Sequence, residues 1–197
     1  MQATEADDAA IRAVRAGDRE AFARLVTLHG ERAFRAAFLI LRDAAAAEDA
    51  TQEGLIRAYQ SLDRFRLGDP FGAWLVRIVV NVALNEVRSR QRRLSWLPRL
   101  WAGAPRSLPG PASAVAAGER RAELHEAMAE LSEQDRVALY LRYYLGLNER
   151  EMATALGCAQ GTVKSRLSRA SQRLRALIEA RYPHLREPFG DEEGDDG

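Results

Sequence analysis

A single cysteine, Cys158, in 197 residues leaves no partner for an internal disulfide and no set of thiolates for a structural zinc site. Three histidines, His29, His125 and His184, are too scattered for metal-ligand spacing, so neither a metal nor another cofactor is expected. Aromatic residues are scarce at 7%, which disfavours sheets, and Lys164 is the one lysine among 29 basic residues. No apolar run approaches the roughly 18 residues of a membrane span. The longest, Ala36 to Leu41, stops at Arg42-Asp43. The acidic start MQATEADDAA is wrong for a secretory signal, and the expectation is a cytoplasmic protein with no membrane insertion of its own. Nucleophile-base constellations, metal clusters and phosphate loops are all missing, so an enzyme is not expected.

What is present is helical chemistry with strong charge patterning. Hydrophobic residues make up 47% and charged residues 29%, enough to bury real cores, and Ala, Leu and Arg dominate. The formal net charge of +1 hides two basic zones and an acidic end. Residues 160–186 carry a balance of +6, residues 86–106 carry +5, and residues 187–197 carry −6. Apolar periodicity occurs in two blocks. In the first, Asp18 precedes Phe22, Leu25, Val26 and His29, Asp43 can cap a helix through Leu62, and Phe71, Trp74, Leu75, Ile78 and Val82 mark a further helix. Gly54 falls inside the second of these, at a cost of about 1 kcal/mol relative to alanine. Residues 95–118 hold four prolines and three glycines and read as a linker, with Trp96 and Trp101 unusual for a plain spacer. The organisation expected is therefore all-α: two small helical domains (1–94 and 119–186) joined by a Pro/Gly-rich linker, with a disordered acidic tail at 187–197.

The segment Asn148–Leu174 has helix-turn-helix spacing: a short helix at 149–156, a turn at Gly157-Cys158 and a second helix at about 160–178. Asn148 with Glu151 is a capping signature, and Gly157 supplies the backbone freedom of a tight turn. At about 100° per residue, Leu167, Ala170 and Leu174 fall within about 40° of Val163. Met152 and Leu156 complete the inner side. The opposite face presents hydroxyls, an amide and cations, suited to base edges and phosphates. A plain hairpin with a solvated basic face is the competing reading. Ala159 stands where a Ser or Thr cap is common. Cys158, a lone thiol without a resolving partner, reads as incidental.

Three strings, AEDATQEGLIRAYQSLDRF (47–65), FGAWLVRIVVNVALNEVRSRQRR (71–93) and the stretch 130–170 containing GTVKSRL, resemble region 2 and region 4 of extracytoplasmic-function (ECF) sigma factors. The resemblance runs over about residues 8–178. It implies a non-enzymatic initiation subunit that binds core RNA polymerase and promoter DNA and directs recognition of the minus-thirty-five and minus-ten elements and duplex opening. It also implies an anti-sigma partner and a linker threaded through the core enzyme. Gln160, Thr162, Lys164, Ser165, Arg166, Ser168, Arg169 and Arg173 are then the expected minus-thirty-five contacts, although Arg166, about 300° from Val163, borders the core. Phe65, Arg66, Asp69 and Phe71 occupy the place of the flipped minus-ten base, with a core role open for the two phenylalanines. Asn81, Asn85, Arg88, Arg92 and Arg93, together with Arg90, match the rest of the minus-ten surface, where a solvated basic helix end is the competing reading. Glu48, Asp49, Gln52, Glu53 and Arg57 would dock on polymerase, where an i,i+4 ladder is the bland alternative. The acidic tail reads as a solubilising end, with shielding of the basic helix as the other possibility. A helix-turn-helix regulator acting without polymerase is the alternative function, and a protein-binding helical adaptor a third.

Overall fold

The computed structural model describes residues 2–95 and 123–186, with side chains over 4–92 and 123–185. The linker with its two tryptophans, the acidic tail and the Arg93 side chain lie outside the described residues. All regular structure among the described residues is helical. The first unit comprises α1 (Gln2–Arg15), α2 (Arg19–Leu41), α3 (Ala44–Ser61), a 3-10 turn (Leu62–Arg64) and α4 (Phe71–Ser95). The second comprises α5 (residues 123–129), α6 (Glu133–Leu139) running on into a π-helical turn (Tyr140–Tyr144), α7 (Glu149–Leu156) and α8 (Gln160–Arg181).

Side chains start these helices where the sequence places them. The Asp18 carboxylate accepts from the amides of Glu20 and Ala21, and Asp43 accepts from Ala46 N–H. Arg42 ends α2 in the left-handed region at φ 55°, so the Arg42-Asp43 pair closes one helix and opens the next. Ser132 caps α6, and Asn148 with Glu151 forms a complete capping box on α7. Ala159 gives α8 no side-chain cap, as expected. The π-helical turn at Tyr140–Tyr144 has no counterpart in the sequence reading.

Ile11, Leu25, Leu62, Phe65, Phe71, Leu75 and Val79 form the core of the first unit, with alanines of α2 and α3 between them. The small residues let the helices approach closely, and Gly54 is the extreme case. A Cβ there would sit 2.4 Å from Val79 Cγ2 and 3.2 Å from Val79 Cα. Its position inside α3 is therefore a packing requirement where α3 meets α4. A further core is shared between the units: Ala36, Ala73, Val76 and Val80 pack with Val137, Ala138, Leu141, Leu147, Met152, Ala155 and Val163. The two units are thus joined by buried apolar surface as well as by the chain.

Candidate nucleic-acid interface

Helix α8 sits on Val163 and Ala170, both fully buried, with Leu167 and Leu174 half-buried beside them. That side fixes the opposite one. Gln160, Thr162, Lys164, Ser165, Ser168, Arg169 and Arg173 are exposed, and Arg166 is half-buried at the border, where its helical phase puts it. The face is partly pre-ordered by its own backbone: Ser165 Oγ donates to Thr162 O at 3.1 Å, and Arg169 Nε donates to Ser165 O at 3.1 Å. Lys164 Nζ lies 3.4 Å from Glu149, both well exposed, so the pair is weak and readily exchanged for a phosphate. Arg173 differs from its neighbours. It pairs with Asp135, a buried carboxylate of α6, and so ties α8 to α6.

Gly157 stands between α7 and α8 at φ 63°, the left-handed cap a tight helix-turn-helix needs. It has a second role: a Cβ there would lie 2.6 Å from Arg77 Nη2, so the turn also accommodates a guanidinium from α4.

The loop between the 3-10 turn and α4 is built on rings. Phe65 meets Phe71 and Trp74 edge-on at 5.6 and 5.1 Å between centroids, and Phe71 lies 5.6 Å from Trp74. Phe65 and Phe71 are only 5% and 1% exposed, and both belong to the core of the first unit. Both rings are therefore packed in the core, the role the sequence left open for them. Arg66 and Asp69 are the two of the four with side chains at the surface. The loop itself is a turn closed by Asp69 N–H donating to Arg66 O at 3.2 Å, with Gly68 at φ 87° in the third position.

From the loop, α4 continues as an exposed polar stripe. Asn81, Asn85, Arg88 and Arg92 are all exposed, while Arg90 is half-buried and pairs with Glu86 at 2.7 Å. Arg77 belongs to the same stripe and was missed in the sequence. The spacing 77, 81, 85 carries the signal, since positions four apart share a helix face. On α3, Glu48, Asp49, Gln52, Glu53 and Arg57 are likewise exposed, with Arg57 Nε donating to Glu53 at 2.7 Å. Among them stands Ile56, 53% exposed, an apolar centre in a polar face that sequence reasoning also passed over. Tyr59 is 41% exposed while still meeting Phe22 edge-on at 5.1 Å.

The second unit reaches across to several of these groups. Arg150 Nη2 donates to Gly68 O at 2.7 Å and lies 4.0 Å from Asp69. Arg32 bonds Glu151 at 3.0 Å and Leu145 O at 3.1 Å. Arg88 pairs with Glu133. Asp69, Trp74, Arg77 and Arg150 thereby line one open cleft with Ala159 and Gln160 at the start of α8. The loop, the α4 stripe and the first turn of α8 are brought together, while the α3 face is a surface of its own.

Residues 25–93 match the family Sigma-70 region 2, and residues 121–174 match Sigma-70, region 4. The RNA polymerase sigma-H factor of Pseudomonas aeruginosa is 33% identical over 195 residues, covering 95% of this chain and 100% of that protein. The ECF RNA polymerase sigma-E factor of Escherichia coli is 32% identical over 176 residues, 84% of this chain and 91% of that one. Among solved structures, CnrH in complex with the cytosolic domain of CnrY superposes with a TM-score of 0.65 at 26% identity, over 89% of this chain and 99% of that chain. The sigma factor RpoE from Bartonella quintana, in complex with the anti-sigma factor NepR, gives 0.63 at 27%, over 81% and 98%.

Proposed function

Since the chain belongs to the ECF RNA polymerase sigma factors, and so is a non-enzymatic subunit that directs polymerase to promoters, we propose a division of that work among its three polar surfaces. The outward face of α8 reads the minus-thirty-five element. Gln160, Thr162, Ser165 and Ser168 meet base edges, and Lys164, Arg166 and Arg169 hold phosphates. The single observation that carries this is the separation of the helix into a fully buried Val163–Ala170 side and an exposed hydroxyl-and-cation side. Arg173 contributes charge from beside its Asp135 pair.

The minus-ten element falls to Arg66 and Asp69 in the loop and to Asn81, Asn85, Arg88, Arg92 and Arg93 along α4. Arg77 joins them from its place in the stripe. A base taken out of the stack must regain interactions elsewhere, and a surface turn beside a cationic helix supplies them. Phe65 and Phe71 act beneath the loop as its foundation.

Polymerase docks on the α3 face. Glu48, Asp49, Gln52, Glu53 and Arg57 give it charge, and Ile56 gives it the apolar centre that a stable interface uses. On the second unit an open apolar groove, with Tyr143 69% exposed at its edge, supports a second polymerase interface, at the flap of the other large subunit. An anti-sigma protein is the regulatory partner, as the solved RpoE relative is held by one. No helix of the described residues is long and apolar enough to cross a membrane, and the place of action is the cytoplasm, with the polymerase and the chromosome. Reconstituting holoenzyme with full-length protein and footprinting the promoter tests the assignment. Protection over the minus-thirty-five element that disappears with Lys164→Ala and Arg169→Ala supports it, and undiminished protection contradicts it.

A further inference from the structure

Helix α1 lies along the minus-ten loop and precedes the segment that matches region 2, which begins at residue 25. Two of its side chains hold the loop. The Arg15 guanidinium collects three carbonyls where α3 gives way to the 3-10 turn: Nη2 donates to Leu62 O at 2.7 Å, to Asp63 O at 3.2 Å and to Phe65 O at 2.5 Å, with Nε 3.3 Å from Leu62 O. Leu62 O also accepts from Phe65 N–H at 3.0 Å within the 3-10 turn, while carbonyls at a helix end lack their full set of backbone donors, and a planar fork can gather several of them at once. Asp8 takes the other end. Its Oδ1 accepts from Gly68 N–H at 3.1 Å, at the positive-φ position of the turn.

Asp8 and Arg15 are seven residues apart, two helical turns, so they leave the same face of α1 about 10 Å from one another. Helix α1 is itself fixed to the core through fully buried Ile11 and through Asp7, whose carboxylate bonds His29 Nε2 at 2.9 Å. His29 in turn packs 5.4 Å from Phe71. The spacing of two jaws on an anchored helix therefore sets the length and curvature of the backbone between Phe65 and Gly68. That backbone carries Arg66 and leads directly to Asp69.

We infer that Asp8 and Arg15 are positioning residues for minus-ten base selection: they hold the Phe65–Asp69 backbone in the shape that presents Arg66 and Asp69 to the unstacked base. This rests on the loop being the base site, as proposed above. A merely structural role for α1 would be felt in stability and equally across all promoter positions. A positioning role is felt at the base the loop selects.

The test is run-off transcription by holoenzyme made with full-length protein, on a template pool randomised across the minus-ten element, with transcripts sequenced. Arg66→Ala and Asp69→Ala first identify the position whose selection depends on the loop. Asp8→Ala and Arg15→Lys are then expected to lower selection at that same position by about fivefold, the factor one hydrogen bond is worth. Selection at the minus-thirty-five element and core affinity should stay at wild-type values. Lysine keeps the charge at position 15 but lacks the planar fork that holds the carbonyls through Nε and Nη2, and the Asp8 contact to Gly68 is exposed, so each variant checks the other if one folds poorly. Loss of selection in the loop variants with full selection in Asp8→Ala and Arg15→Lys overturns the inference and leaves the base site standing. Full selection in Arg66→Ala and Asp69→Ala removes the base site, and the inference with it.

Discussion

Lys164 and Arg169 stand on the exposed side of a helix whose other side is buried, so truncating them removes charge without opening the core. Removing one cation from a phosphate should lower the dependence of log K on log salt by about 0.9 for duplex DNA. Lys164→Ala and Arg169→Ala are thus expected to weaken minus-thirty-five binding by holoenzyme, flatten its salt slope, and leave core affinity unchanged. A salt titration of promoter binding checks this, and an unaltered slope would count against phosphate binding by these two side chains. On α3, the Glu53–Arg57 pair is an exposed i,i+4 pair worth only a few tenths of a kcal/mol to folding. Replacing Asp49 and Glu53 together by alanine should therefore spare the thermal midpoint and weaken binding to core polymerase. Ile56→Asp should weaken it further, by placing a charge at the apolar centre of the face. Equal core affinity in titrations of labelled protein would take the docking role away from α3.

Among the helices, the caps were legible because they are local. Asp18, Asp43 and the Asn148–Glu151 box each act within one turn of chain, and each does what its position announces. The helix-turn-helix was legible for the same reason, since Gly157 and the Val163 periodicity lie within one short segment. Features that depend on a distant element were not. Gly54 reads in sequence as a flaw in α3, and only Val79 on α4 shows why a larger residue does not fit. Gly54→Ala gains about 1 kcal/mol in helix propensity, but overpacking a tight core costs typically about 1–3 kcal/mol. The expected outcome is a net loss of stability in chemical denaturation, and a stabilised variant would show that α4 yields at Val79. Phe65 and Phe71 presented the same difficulty. Aromatic residues flanking a loop suit a base or a core equally well in sequence, and Trp74 is the third ring that closes the cluster. Arg15 and Asp8 act over 47 and 60 residues of chain, beyond the reach of any local pattern.

The two halves together form more than two beads on a linker. Val76, fully buried, lies in a core to which α2, α4, α6, α7 and α8 all contribute. Arg150 on Gly68 and Asp69, Arg88 on Glu133 and Arg77 against Gly157 place the second unit along the surface proposed for the minus-ten element. On that proposal, engaging the element exchanges these interactions for DNA. Val76→Asp would bury a carboxylate among apolar groups, which the packing tolerates poorly. It is expected to enlarge the particle in small-angle scattering while helix content by circular dichroism is largely retained. An unchanged radius would mean that the shared core does not hold the halves together. The most direct test of a sigma factor is transcription itself: run-off assays with purified bacterial core polymerase on a genomic promoter library, with and without this protein. Discrete start sites that appear only when the protein is added are the predicted result. Absence of new starts, with the protein alone binding duplex DNA tightly, would contradict it and identify a helix-turn-helix regulator that works without polymerase.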